Sequence, residues 1–252
     1  MGPAFKALTL SAWLSLGLVM AVQPAAAQNR YPSIEDKWDG TDYRAVVQRV
    51  KKDGLQLPTL ADVATKPVFE RMVAIDNIPL HMGLNKELST TIRFQRLDSA
   101  LDPVHKLVVL YADEAQKGKP YAKELAILRV YEAKISAAML NLHEPLLATL
   151  ERNPRYQARV AELEQMKNDA RQLYSGLVEG MTDTRLYAKP DILKMAGGAL
   201  DELAAYQPIF TNEDRQSHVQ KLTQQISATT DQDLKKALTE LRDAIQHGRV
   251  RT

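Results

Sequence analysis

KPYAKELAILRVYEAKISAAMLNLHEPLLATLERNPRYQARVAELEQMKNDARQLYSGLVEG, residues 119–180, is the stretch that decides the fold class. In its first half Leu128, Ile135, Met139, Leu142, Leu146 and Leu150 recur at spacings that place them on one face of a helix. Ala126, Ala133, Ala137, Ala138 and Ala148 lie between them, favouring the helix and letting a neighbour approach closely. A helix from Pro120 to Arg152 is expected to be about 50 Å long at a rise of about 1.5 Å per residue. Pro145 is expected to kink it, because proline lacks the backbone donor and crowds the preceding turn. The second half carries Tyr156, Val160, Leu163, Met166, Ala170, Leu173 and Leu177 at steps of three or four, opposite Glu162, Glu164, Lys167, Asp169 and Arg171. Pro154 fits the first helical position and Gly180 the position just past the end. The expectation is a long antiparallel helical hairpin.

Working outward, a third long run spans about Leu84 to Lys117. Phe94, Leu97, Leu101, Val104, Val108 and Tyr111 form a coiled-coil-like seam within it, and Pro103 predicts a kink or a break. Gly118-Lys119-Pro120 makes a tight link into the hairpin. The fold class is therefore all-α: an elongated helical bundle on three long antiparallel helices, with shorter flanking helices.

The expected organisation has four parts. Residues 1–27 read as a cleaved signal peptide, with Lys6, an apolar run from Ala7 to Val22, and Ala25-Ala26-Ala27 before Gln28. Residues 28–83 form an N-terminal arm and short helices: Thr41 as a cap, Gly54 as a stop, Thr59 with Asp62 as a capping box, and Pro67 as a divider. Residues 84–180 are the long-helix bundle. Residues 181–252 supply short helices that pack on it, opened by Pro190, by Thr211 with Asp214, and by Thr230 with Asp233, with Gly248 as the last stop.

Without residues 1–27 the charge count is 33 − 1 = 32 basic residues against 31 acidic ones. That balance argues against nucleic-acid binding, which needs a concentrated basic footprint. The chain has no cysteine, which excludes disulfides, thiolate metal sites and thiol catalysis. After leader removal no remaining stretch is long and apolar enough to serve as a membrane anchor.

Asp102 and His105 lie one helical turn apart, half of a bundle metal site. His143-Glu144 begins like a zinc signature, but Leu147 stands where the second histidine belongs. These four are the metal candidates. Trp38, the only tryptophan after the leader, is expected to fold back over one end of the core, with a partner anchor as the alternative. Tyr111, Tyr121, Tyr131 and Tyr174 are either core-edge rings or the lining of a ligand pocket. No catalytic set, phosphate loop or dinucleotide fingerprint is present, so no enzyme activity and no cofactor are expected. The leading expectation is a periplasmic or secreted bundle that binds another envelope or secreted protein, as an assembly factor, chaperone-like protein or inhibitor. The alternative is a small-ligand or metal binder with a pocket between the long helices. A contiguous exposed apolar strip favours the first; a pocket with converging polar groups favours the second.

Overall fold

The computed structural model describes residues 31–82, 88–143, 145, 146, 148, 152, 157–180, 189–204, 206 and 211–247. Residues 1–27, expected to be a signal peptide, lie outside the described residues, as do Glu144, Pro154, Tyr156 and Gly248. Among the described residues there is no strand. The helices are α1 Gly40–Asp53, α2 Lys66–Met72, α3 Asn77–Met82, α4 Thr90–Gln116, α5 Ala122–Leu140, α6 Gln157–Gly180, α7 Pro190–Ala204, α8 Asn212–Ala228 and α9 Gln232–His247. The chain is all-α. None of these helices is long and apolar enough to cross a membrane.

The centre is α5, and it is not amphipathic. Its buried residues, among them Leu125, Leu128, Tyr131, Ile135, Ser136 and Met139, point in every direction around the axis. A helix apolar all round must be enclosed, and α5 is packed by α3, α4, α6 and α7. Buried Ala126, Ala133, Ala137 and Ala138 are the small residues that admit so many neighbours. The most extensive pairing is α4 with α5. Their hairpin turns at Gly118, whose φ of 82° is the left-handed conformation that glycine adopts without a Cβ penalty. Tyr111 meets Tyr121 near the turn and His105 meets Glu132 further along, so the two helices run antiparallel.

Several local expectations are corrected. The helix expected to run unbroken to Arg152 pauses after Leu140, with a turn at Asn141 and Leu142, and helix is resumed at His143, Pro145, Leu146 and Ala148, so an interruption stands where a kink at Pro145 is expected. Gly180 is the last helical residue of α6 rather than the residue beyond it. The run expected from Leu84 begins at Thr90, where the Ser89 hydroxyl accepts from Ile92 N at 3.3 Å. Asp39, not Thr41, caps α1: its Oδ1 accepts from Thr41 N and Asp42 N, and Asp42 Oδ2 accepts from Asp39 N in return. Thr59 and Asp62 do not form a capping box. Thr59 Oγ1 instead donates 2.7 Å to the buried Glu124 Oε1, which also accepts from Leu60 N. Pro67 divides nothing, since it sits in the first turn of α2. Asp231, not Thr230, begins α9, its Oδ1 accepting from Asp233 N and its carbonyl from Lys235 N. Gly54 at the end of α1 and the Thr211–Asp214 capping box on α8 stand as the sequence predicts.

Pro103 neither breaks nor ends α4, which continues through it. The cost of a mid-helix proline is an unpaired carbonyl four residues back, here Ser99. Arg44 of α1 meets that need, with Nη1 donating to Ser99 O at 3.1 Å and to Ser99 Oγ at 3.2 Å. The backbone of Gly40 closes on the same carbonyl so tightly that a Cβ there would stand 2.3 Å from Ser99 O.

Buried side chains from Trp38 to Ile245 form one connected core. Behind α5 it is completed by α7 and α9, and α8 packs on α9. Gly198 sits mid-helix in α7 with open space where a Cβ would go. Gly198→Ala is therefore expected to stabilise the fold by about 0.5–1 kcal/mol, by removing unfolded-state freedom at no steric cost. Urea unfolding of the two proteins checks it, and a destabilised variant would mean that another backbone closes on that turn.

Candidate functional site

The structure distributes the residues singled out in the sequence over separate places. Trp38 is fully buried, its Nε1 donating to Ser33 O at 2.7 Å and its ring meeting Tyr43 edge-on. Tyr111 donates to Pro58 O at 2.5 Å and stacks edge-on with Phe69 and Tyr121. Tyr131 hydrogen-bonds Tyr43 hydroxyl to hydroxyl at 2.7 Å. Tyr174 lies against His218 between α6 and α8. All of these rings are buried, in three separate clusters, and their burial raises the pKa of each tyrosine hydroxyl named here. They do not converge on a common cavity.

The metal candidates also part company. Asp102 pairs with Lys106, and His105 Nδ1 hydrogen-bonds Glu132 Oε1 at 2.7 Å. His143 is buried. Among the described residues, no group of three or more histidines and carboxylates is placed to hold a metal ion.

The His105–Glu132 pair has a pH signature of its own. Glu132 is buried on α5, and the hydrogen bond from its carboxylate raises the His105 pKa, against the opposing effect of partial burial. A histidine whose pKa is raised on folding contributes stability that is full below its unfolded pKa and is lost as pH rises through the folded one. The stability difference between the native protein and His105→Gln should thus be larger near about pH 6 than near about pH 9. Denaturant titrations at the two pH values decide it; equal differences would dismiss the charged pair.

Three helices build a site that the sequence reading did not single out. Where the first turn of α1 docks on α4 beside α3, a cleft of about 420 Å³ is lined by Asp39, Gly40, Thr41, Leu80, His81, Ile92, Gln95, Arg96 and Ser99. Gly40 and Ser99, which approach each other closely, are both part of the lining. His81 is 2% exposed, and its Nε2 has no hydrogen-bond partner among the described residues. Burial pushes its pKa down to about 4, with Asp39 opposing the shift and Arg96 adding to it, so the imidazole is neutral near pH 7. A buried polar nitrogen left unpaired costs about 1–3 kcal/mol, and a native fold keeps few of them.

A second groove of about 330 Å³ lies between α6 and α8, lined by Arg171, Ser175, Asp214, Ser217 and His218 among others. Its charges are already matched, with Arg171 Nε 3.2 Å from Asp214 Oδ2. The cleft beside His81 differs. Asp39 Oδ1 accepts from Thr41 N and Asp42 N, its carboxyl lies beside that of Asp42, Arg44 reaches Ser99 and Thr41 on the lining, and Arg96 is exposed at the rim. Fold and site together describe an all-α protein with a polar cleft at the joint of three helices. No family model matches the chain, and neither does any curated protein or solved structure.

The sequence carried only faint signals for this site. His81 has no carboxylate three or four residues away, the spacing that drew attention to His105. Asp39 reads as a loop residue, and Arg96 as one more charge on a solvated face.

Proposed function

We propose that the protein is an exported binding protein that holds a small polar molecule in the cleft beside His81. The observation that carries this reading is the cleft of about 420 Å³ at the joint of three helices, lined by polar side chains and by the buried His81. A cavity of this size suits a small molecule, and a few fixed polar groups on an otherwise packed wall are the usual makeup of such sites. Among the described residues the most exposed large apolar ones, Ile34, Val63, Ile75, Ile92, Val109 and Met195, are spread over the arm before α1, the loops on either side of α2, α4 and α7. Singly scattered apolar residues are ordinary surface and make no case for a docking strip.

Native mass spectrometry of the protein taken gently from its own cells tests the reading. An added small mass that is displaced from the native chain and absent from His81→Leu supports it. A bare native chain at every step of desolvation counts against it.

A second reading, binding of another envelope or secreted protein, draws on one specific feature. Val63 is 88% exposed at the tip of a turn fixed by Asp62, which accepts from Ala64 N and Thr65 Oγ1. A stiff turn that offers an apolar side chain to water loses little entropy on docking. Co-migration of a second protein that is lost in Val63→Asp would favour this reading.

A further inference from the structure

We propose that the C-terminal end of α3 is an acid-sensitive latch, seated against α4 while His81 is neutral and swinging away when the imidazole takes up a proton. The latch works whether or not the cleft takes a ligand.

The buried side chains of α3 are Asn77 and His81, and both are polar. Four residues apart, they stand one turn above the other on the same face of the helix. Ile78 and Met82 reach the core only in part. Asn77 is fixed by hydrogen bonds, accepting from Trp38 N and Arg71 Nη2 and donating to Arg71 O and Tyr43 Oη. His81 has no such anchor. Its ring centre lies 6.4 Å from that of Tyr43, and its Nε2 has no hydrogen-bond partner among the described residues. One end of this short helix is thus tied down by hydrogen bonds, while the other is held by the burial of an uncharged ring. A segment attached in this way opens locally, about its fixed end, at a lower cost than global unfolding.

The surroundings do not compensate a proton on that ring. From α4 the Arg96 guanidinium opposes it. From the cap of α1 the Asp39 carboxylate favours it, but Asp39 Oδ1 is engaged with Thr41 N and Asp42 N, and the Asp42 carboxyl lies against it. Arg44 brings a further cation to Ser99 and Thr41 on the same side. Tyr43 and, behind it, Tyr131 stay neutral, because burial raises both hydroxyls. Beyond the fixed end of α3, Asp76 is taken up by Arg71 and Lys37. Burial therefore wins, and the seated imidazole protonates only at about pH 4. Swung out into water it would regain an ordinary pKa of about 6.5. The seat is at full strength above that value and weakens as the pH falls toward the lower one. Between about pH 7.5 and pH 5 the ratio of open to seated α3 should rise roughly thirtyfold. The cleft of about 420 Å³ that His81 lines gives water a way in as the joint parts.

Two measurements decide it. In an NMR titration of the native protein, the His81 ring proton between the two nitrogens should shift with a midpoint below about pH 5; an ordinary midpoint near about 6.5 would overturn the latch. Hydrogen exchange read by mass spectrometry, corrected for the intrinsic rate at each pH, should show α3 losing at least about tenfold of its protection between about pH 7.5 and pH 5. Over the same interval α5 should keep its protection. His81→Leu, which keeps an uncharged side chain at the site and cannot take up the proton, should hold α3 equally at both pH values. Equal protection of α3 in the native protein, a loss that α5 shares, or the same loss in His81→Leu would each sink the proposal. Should His81→Leu fail to fold, the ring titration and the comparison of α3 with α5 in the native protein still decide the matter.

Discussion

Asn77→Leu is expected to destabilise the protein by about 4 kcal/mol, the largest effect of any single substitution considered. Asn77 is fully buried at the start of α3, and every polar atom of its side chain is used. Its Oδ1 accepts from Trp38 N at 3.0 Å and from Arg71 Nη2 at 2.7 Å. Its Nδ2 donates to Arg71 O at 2.9 Å and to Tyr43 Oη at 3.1 Å. Leucine keeps the branched skeleton but replaces the oxygen and the amide nitrogen by bulkier methyl groups, so overpacking adds to the loss of polar partners. Trp38 N would remain buried and unsatisfied, at about 1–3 kcal/mol, and the Arg71 guanidinium and the Tyr43 hydroxyl would each lose a buried partner. For a chain of this length that corresponds to a fall in melting temperature of roughly 8–16 °C. Tyr131→Phe, which removes a single hydroxyl from the same network, should cost only about 1 kcal/mol, because Tyr43 still donates to Met72 O at 3.1 Å. Calorimetry on the pair gives the ratio, and equal costs would mean that the network is not organised on Asn77.

The second large effect is expected at Gly40. A methyl group there would stand 2.3 Å from Ser99 O and 2.7 Å from Ser99 C, and both are backbone atoms of a long helix that does not yield locally. Gly40→Ala must therefore push α1 away from α4 and stretch the hydrogen bonds from Arg44. A cost of about 3 kcal/mol follows from the usual penalty of overpacking, against the gain of up to about 1 kcal/mol that alanine brings to an unobstructed helical site. Gly198→Ala is that unobstructed case within the same chain, so the two variants should differ in sign. Should Gly40→Ala leave the midpoint of urea unfolding unchanged, the close approach of α1 to α4 would be refuted. The same variant reshapes the lining of the His81 cleft, so ligand binding should weaken with it.

Much of the helical architecture could be read locally. The seam on α4, the stop at Gly54, the Thr211–Asp214 box and the opening proline of α7 each depend on residues within a turn or two of one another. The errors came where a distant partner decides the outcome. Thr59 looks like a cap until Glu124, sixty-five residues on, takes its hydroxyl. The alternation in α5 resembles one apolar face, yet α5 is enclosed; only its alanines, read as letting a neighbour approach closely, announce that packing. The cleft was illegible for the same reason. His81, Asp39 and Arg96 belong to three elements, and no spacing in the chain announces their meeting.

Pro103 has one more consequence. An α-helix is a repeating surface that offers nearly equivalent grooves about every 5.4 Å, so a short helix packing against a long one has several dockings of similar energy. By leaving one carbonyl of α4 without its internal donor, Pro103 makes a single turn of that helix unlike the rest. Arg44 and the bare backbone of Gly40 both meet that turn, at Ser99. A residue usually counted as a defect in a helix thus works here as an index mark, setting the register at which α1 seats and widening the energy gap to slipped arrangements.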